Sequence, residues 1–207
     1  KTPNTGSTSI PYLIVDGFDR LDAGAMIPRN ESSALGTVKR MFLDKMNRYD
    51  YMIEHAKGLA NCNNIAFDGC QNEAVINGNV LLTNYTAVDW FVGEESTVDK
   101  TLDATERTLL KSYLNAGGNL LLSGSEVGWD IGRAASANVD LDLFNNYLKA
   151  SYIGDDAGSY DFTGTSSFFT SQSGSFDNGT NGYYDVDFPD RVAANGGTTF
   201  LNYVGGT

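Results

Sequence analysis

The segment Gly124-Ser125-Glu126-Val127-Gly128 carries the residues best suited to chemistry. Two glycines bracket Glu126, and small residues here permit the sharp strand-to-helix turn, called a nucleophile elbow, that lifts its central side chain above a sheet edge. The central residue is usually Ser or Cys, whereas here it is Glu with Ser125 beside it. A carboxylate is a poor acyl-transfer nucleophile but a good general acid or base. The pattern predicts a site at Glu126 and Ser125; the alternative is a strand end whose Ser or Glu caps the next helix.

Acidic residues also follow the ends of other predicted strands. Together with Glu126, the carboxylates at such positions are Asp16, Asp19, Glu94, Glu95, Asp130 and Asp155. Because open α/β sheets bind ligands beyond the carboxyl ends of their parallel strands, we expect these side chains to gather at one edge. Crowded like charges would raise a carboxyl pKa or recruit a cation such as Ca²⁺, although we assign no metal ligands and no resident cofactor. The alternative is that these acids cap helices and solvate loops.

Continuous apolar runs indicate the strands that carry these residues. The run Leu120–Leu122 shows no alternation of apolar and polar residues, which predicts a strand covered on both faces, as in a parallel sheet. A capping box at Asp103 and Glu106 and a glycine stop at Gly117 delimit the helix before it. The order strand, helix, strand is that of a right-handed parallel crossover.

The remaining segments are less regular. Residues 18–48 predict a long connection with some helix, and the small polar and aromatic residues after Ala157 favour hairpins and edge strands. We therefore predict an α/β fold, a three-layer sandwich with a mainly parallel central sheet and a β-rich C-terminal part. Residues 10–207 would form this single domain after a linker at residues 1–9, as a mature or excised segment.

The charge of the chain restricts its partners. Its 207 residues contain 26 Asp and Glu but only 14 Lys and Arg, a formal net charge of -12. We therefore exclude nucleic acid and anionic membrane surfaces, because their phosphates would be repelled. No apolar run reaches the roughly 18 residues that would span a bilayer. Few Lys and Arg with many Gly, Asn, Ser, Thr and Tyr favour a secreted protein, whether extracellular, periplasmic or on the cell surface.

Histidine and cysteine are rare in the chain. His55 is the only histidine, and it lies beside the apolar stripe of a predicted helix, which favours a surface or boundary position over catalysis. Cys62 and Cys70 are the only cysteines. Their spacing allows either a disulfide or two free thiols, and without a nearby histidine they make a poor metal site.

Two stretches, Val88–Ser96 and Ser123–Asp130, carry a family resemblance. From Tyr12 to about Tyr203, the chain resembles the glutamine-amidotransferase-like domains of secreted bacterial proteins, especially from Bacteroidetes, some of which are labelled xanthan lyase. The resemblance implies a flavodoxin-like α/β sandwich beside fibronectin-like or carbohydrate-binding domains of the same polypeptide. Active class I amidotransferases use an elbow Cys with a later His and Glu. This chain has Glu126 at the elbow and no histidine after it.

These observations predict a noncatalytic accessory or ligand-binding module of a secreted, glycan-directed multidomain protein, a pseudoenzyme that keeps the amidotransferase scaffold. One alternative is a carbohydrate hydrolase that uses Glu126 and a second carboxylate, and another is an adhesion or structural surface domain. We expect a neutral, polyhydroxylated ligand held by Glu126 and Asp130 over the indole of Trp129, because carboxylates accept bonds from sugar hydroxyls and an indole packs on a pyranose face. Trp90, inside an apolar strand, is predicted to lie in the core.

Overall fold

The computed structural model describes residues 11–19, 26–41, 46–62, 65–165, 169–178, 180, 185–186 and 188–205. The predicted linker at residues 1–9 lies outside these ranges. The strands are β1 (Tyr12–Asp16), β2 (Met26–Ser32), β3 (Gly36–Met41), β4 (Phe67–Gln71), β5 (Ala87–Gly93), β6 (Asn119–Gly124), β7 (Ala150–Gly154), β8 (Asp161–Gly164), β9 (Ser173–Ser175), β10 (Arg191–Ala194) and β11 (Leu201–Tyr203). The α-helices are α1 (Tyr51–Asn61), α2 (Asn72–Ile76) and α3 (Ala104–Asn115). A 3₁₀ turn spans Leu82–Asn84, and two π-helical segments span Gly128–Gly132, here called the elbow helix, and Asp142–Tyr147.

Four strands form the central sheet in the order β4-β1-β5-β6, and every pairing in it is parallel. Side chains alternate between its faces, so that Leu13 and Val15 of β1 enter one apolar cluster and Ile14 enters another. Helix α3 adds Leu110 to the first cluster and α1 adds Tyr51 to the second. The predicted α/β class with a parallel central sheet is confirmed, and the arrangement is compatible with a flavodoxin-like sandwich.

Helix α3 forms as its capping signals predict. The Glu106 amide donates to Oδ1 of Asp103 at 2.8 Å, and the Asp103 amide donates to Oε2 of Glu106 at 2.6 Å. The chain leaves the helix through Gly117, whose φ of 89° lies in the left-handed region that glycine tolerates best. The helix leads directly into β6, which places the elbow beside the end of β5.

Strand β6 differs from its prediction. It lies at the edge of the central sheet and, among the described strands, pairs only with β5. Leu120 and Leu122 pack against the core, but Leu121 is 60% exposed. The prediction that both faces of this strand are covered is therefore wrong. On the side of Leu121 the covering helix is α1, which packs mainly against β1 and β4.

Two other segments also differ from prediction. Within residues 18–48, β2 and β3 form an antiparallel hairpin, so the prediction of helix is wrong for that part. Its turn is closed by the Leu35 amide, which donates to the Ser32 hydroxyl at 3.1 Å, and by Gly36 with a φ of 63°. Strand β7 pairs with β10 in an antiparallel sheet of its own, outside the central sheet. Strands β8, β9 and β11 form a third antiparallel sheet near the C-terminus.

Cys62 and Cys70 are both free thiols, which resolves the alternatives left open by their spacing. Burial raises the pKa of the Cys70 thiol to about 11. Among the described residues, no helix combines the length and the apolar character needed to cross a bilayer.

Candidate functional site

The elbow forms at the predicted position. Strand β6 ends at Gly124, Glu126 lies in the turn, and the elbow helix begins at Gly128. Close packing explains the two glycines. A Cβ atom on Gly124 would lie 2.2 Å from Cγ2 of Val92, and one on Gly128 would lie 3.0 Å from Oδ2 of Asp190. The G-x-E-x-G spacing therefore reflects the close approach of neighbouring chain segments to the turn.

Asp190 binds the start of the elbow helix from the C-terminal part of the chain. Its carboxylate accepts the Gly128 amide at 2.6 Å and the Trp129 amide at 3.0 Å. Burial raises the pKa of Asp190 to about 7; the two amides oppose this shift, and the nearby charges of Glu126 and Asp155 add to it. Glu126, Asp155 and Asp190 thus form one set of carboxylates, here called the elbow carboxylate group.

A second set of carboxylates lies at the carboxyl end of β1. Asp16 is 1% exposed, its Oδ2 accepts Nε2 of Gln71 at 3.4 Å, and its Oδ1 has no partner among the described residues. The Asp19 amide donates to Oε1 of the buried Glu95. Burial raises the pKa of Asp16 to about 7 and also raises that of Asp19, and the charge of Glu73 acts on both in the same direction.

Two residues without a predicted site role extend this second set. Asn72 donates from Nδ2 to Oε1 of Glu106 at 2.9 Å and to Oδ1 of Asp19 at 3.4 Å. Burial raises the pKa of Glu106 to about 7. We call Asp16, Asp19, Glu95 and Glu106 the edge carboxylate group. Nowhere in the described ranges do three His, Cys, Asp or Glu side chains gather in a way that could hold a metal ion.

Asp130 lies apart from both groups, inside the core. It is fully buried, and its Oδ2 accepts the amide and hydroxyl of Thr101 at 3.0 and 2.9 Å and Nδ2 of Asn138 at 2.7 Å. Ser136 donates to its other oxygen at 3.4 Å. The protein's own donors therefore occupy this carboxylate. Its placement assigns it a structural role instead of the predicted contact with a ligand.

The two tryptophans are placed differently. Trp90 is 0% exposed, so its prediction as a core residue is confirmed. Trp129 is half-buried, but the guanidinium carbon of Arg133 lies 3.6 Å from its ring centroid and covers one face. Its Nε1 donates to the Thr97 hydroxyl at 3.3 Å, and Tyr152 meets the ring edge-on with centroids 6.4 Å apart. A sugar ring could therefore use only one face of Trp129.

A cleft of about 950 Å³ follows the exposed side of β6. Of the predicted site residues only Ser125 lines it, with its hydroxyl donating to the Gly93 carbonyl at 3.2 Å. No Lys or Arg is among its described lining residues. The aromatic and acidic side chains that line the cleft are Tyr51, Phe91, Phe144, Tyr147, Phe176, Tyr203, Glu54, Asp177 and Asp190.

His55 also lines this cleft, where its sequence position gave no sign of a site. Its Nδ1 lies 2.7 Å from Oδ2 of Asp89, and its ring stacks on Phe91 with centroids 4.5 Å apart. The imidazole is 26% exposed and the carboxylate 18%. The prediction of a boundary position is consistent with this exposure. The carboxylate partner, however, makes the histidine chemically distinctive.

The structure thus divides the predicted site residues instead of gathering them. Asp16, Asp19 and Glu95 belong to the edge group, and Glu126 and Asp155 belong to the elbow group. Glu94 follows β5, half-buried, with its amide donating to Oδ1 of Asn47 at 2.8 Å. The site residues that sequence reasoning missed are Asn72 and Glu106 at the edge group, Asp190 at the elbow, Asp89 beside His55 and Phe176 in the cleft. The only sequence feature that could have indicated the cleft is that His55 is the single histidine of the chain.

Comparisons of the chain with protein-family models, with curated proteins and with solved structures returned no match.

Proposed function

We propose that this chain is a ligand-binding module of a secreted, glycan-directed multidomain protein, and that it lacks glutamine-amidotransferase chemistry. The composition of the cleft along β6 carries this proposal. Aromatic rings of Tyr147, Phe176 and Tyr203 can pack on the C–H faces of sugar rings, while the carboxylates of Glu54 and Asp177 can accept bonds from hydroxyls. With no Lys or Arg among the described lining, and a net charge of -12, the cleft favours a neutral ligand over an anionic one.

Two features support the absence of amidotransferase chemistry. The elbow carries Glu126 instead of Cys, and His55, the sole histidine, precedes it in the chain and is bound to Asp89. The parallel sheet and the elbow are nevertheless what a flavodoxin-like, amidotransferase-like domain would have. We therefore assign the chain to that type of scaffold, with neighbouring domains in the same polypeptide, as part of the proposal.

Titration calorimetry with neutral and uronic-acid oligosaccharides tests the proposal. We expect the wild-type protein to bind a neutral oligosaccharide and to reject the uronates. Phe176→Ala should weaken binding by about fivefold or more, because a sugar would lose one aromatic face. Phe169→Ala is a matched control, since Phe169 is similarly exposed, at 40% against 43%, and does not line the cleft. Preference for uronates, or equal affinity in both variants, would contradict the proposal.

The elbow carboxylate group favours a second candidate, a hydrolase that acts on a carbohydrate. Burial and the charge of Glu126 raise the pKa of Asp190 to about 7, so this carboxyl can carry a proton near neutral pH while Glu126 acts as base or nucleophile. Asp190 thereby fills the place of the second carboxylate. Release of reducing sugar from neutral polysaccharides, abolished in both Glu126→Gln and Asp190→Asn, would select this candidate. No release by the folded wild-type protein would dismiss it.

A further inference from the structure

The α1 side of the cleft carries a pair of groups suited to proton transfer. Donation of Nδ1–H from His55 to Asp89 fixes the tautomer of the neutral imidazole and leaves Nε2 as the proton acceptor. Within the described part of the chain, nothing bonds to Nε2. Stacking on Phe91 fixes the plane of the ring. An imidazole oriented by a carboxylate in this way is the arrangement that activates a hydroxyl nucleophile.

The register of the sheet places a hydroxyl beside this pair. In the pairing of β5 with β6, Asp89 stands opposite Leu121, and Phe91 stands opposite Ser123. Register partners in parallel strands project to the same face of a sheet, so Ser123 projects to the face on which His55 covers Phe91. Ser123 and His55 both line the cleft. Among the described residues, the Ser123 hydroxyl has no hydrogen-bond partner.

The edge position of β6 supplies donors for a developing negative charge. The described strands pair with β6 on one side only. Within the described part of the chain, the backbone amides on the other side of β6 next to Ser123 have no backbone partner. Backbone amides aimed at a carbonyl oxygen stabilise the oxyanion of acyl transfer. Ser123 and His55 thus line one cleft, with Asp89 bound to His55 and candidate oxyanion donors next to Ser123.

We propose that Ser123, His55 and Asp89 form a hydrolytic site for uncharged carboxylic esters. The Ser123 oxygen bonds to the ester carbonyl carbon while its proton passes to Nε2 of His55. The ester C–O bond then breaks, and the departing alkoxide takes that proton and leaves as an alcohol. Water attacks the acyl-serine by the same route, releasing the carboxylic acid and restoring Ser123. Asp89 is a positioning residue that holds Nδ1–H of the imidazole.

The acidic lining sets the substrate class. Glu54, Asp177 and Asp190 share the cleft with Ser123, so an anionic ester would be repelled. Leu120–Leu122 and the aromatic rings provide apolar surface for the acyl or alcohol group. The inference goes beyond the binding function proposed above and does not depend on it, because it concerns esters in general and gives the elbow carboxylates no part in the reaction.

Labelling with a fluorophosphonate probe, followed by peptide mapping, tests the nucleophile, and hydrolysis of p-nitrophenyl butyrate tests the reaction. We expect a single adduct on Ser123, no adduct in Ser123→Ala, and a loss of kcat/KM of roughly 10³-fold or more in Ser123→Ala and His55→Gln. Ser112→Ala is the control, because Ser112 is exposed on α3 and its hydroxyl donates to the Thr108 carbonyl at 2.9 Å.

Kinetics of Asp89 variants separate positioning from a merely structural role. Asp89→Asn should lower kcat with little change in KM, and Asp89→Glu should recover part of that loss. Circular dichroism checks that each variant is folded. If His55→Gln is unfolded, Ser123→Ala alone tests the proposal, because it removes only one oxygen from a partly exposed side chain and should not disturb the fold. The proposal is overturned by an adduct elsewhere, by wild-type turnover in Ser123→Ala, or by no hydrolysis in the folded wild-type protein.

Discussion

Oδ2 of Asp190 lies 2.6 Å from the Gly128 amide, although 62 residues separate the two along the chain. The Asp190 amide also donates to the Ser125 carbonyl at 3.3 Å, and the Tyr203 hydroxyl donates to the Asp190 carbonyl at 3.2 Å. Asp190 therefore joins the C-terminal strands to the elbow, and a Cβ atom on Gly128 would lie only 3.0 Å from its Oδ2.

Asp190→Ala should destabilise the protein by about 1–3 kcal/mol, because the Gly128 and Trp129 amides would lose their acceptor. Asp190→Asn keeps one acceptor oxygen and should cost less. Urea unfolding at pH 7 measures both free energies. Asp161→Asn is the control, since that side chain is exposed. Equal stability of Asp190→Ala and the wild-type protein would refute the assigned role.

The stability of the protein should increase as the pH falls from 8 to 5. Burial raises the pKa of Asp16 from 3.8 to about 7 and that of Glu106 from 4.5 to about 7. A carboxyl whose folded-state pKa is raised contributes its full stability below its unfolded pKa and loses it as the pH rises through the folded pKa. Free energies of unfolding measured between pH 5 and pH 8 will reveal the slope.

Asp16→Asn isolates the contribution of one carboxyl to this slope. The amide cannot ionise, so the variant should be more stable than the wild-type protein at pH 8 and should depend less on pH. Asp140→Asn should instead be less stable than the wild-type protein at pH 8. The bond from the Leu143 amide and the ammonium of Lys111 hold the pKa of Asp140 below its ordinary value despite partial burial. A wild-type protein whose stability rises from pH 5 to pH 8 would contradict this account.

Local patterns predicted the local structure well. The capping box of α3 requires only that Asp103 and Glu106 be three residues apart, and the elbow requires only glycines around Glu126. The positions of Asp190 and Asp89 could not be read in this way. Asp190 meets Gly128 across 62 residues and Asp89 meets His55 across 34, and no short-range spacing encodes such pairings.

Strand β6 illustrates a further limit of sequence patterns. A run of three leucines indicates that apolar side chains project to both faces of the strand. It does not indicate whether the strand lies at the centre or at the edge of the sheet. At the edge of the sheet, Leu121 stays largely exposed and lines a cleft. Whether such a strand is a core element or a binding surface depends on the order of strands in the sheet, which arises from contacts distant in sequence.

Asp130→Ala should be among the most destabilising substitutions of a polar residue. Thr101 and Asn138 would keep buried donors without an acceptor, a loss on the order of 3–5 kcal/mol for a buried, charged hydrogen-bonding group. Glu126→Gln keeps the size of a half-buried side chain in the elbow turn and should change stability by much less, about 1 kcal/mol or below. Thermal unfolding compares the two variants. A smaller loss of stability in Asp130→Ala than in Glu126→Gln would contradict the structural role assigned to Asp130.

Trp90 packs so closely against Gly17, beside the edge carboxylate group, that no side chain fits at position 17. Gly17 directly follows β1, and a Cβ atom there would lie 2.1 Å from Nε1 and 2.6 Å from Cδ1 of Trp90. The indole is fully buried, so it cannot move aside without disturbing the core.

Gly17→Ala should therefore destabilise the protein by about 1–3 kcal/mol or more. Gly58→Ala adds the same methyl group inside α1, where nothing lies within 4 Å, and it should stabilise the protein by about 0.5–1 kcal/mol through its higher helix propensity. Urea unfolding of the two variants should thus give changes of opposite sign. Similar values would mean that Trp90 can yield to a side chain at position 17, and that the end of β1 beside Asp16 is less rigid than its packing indicates.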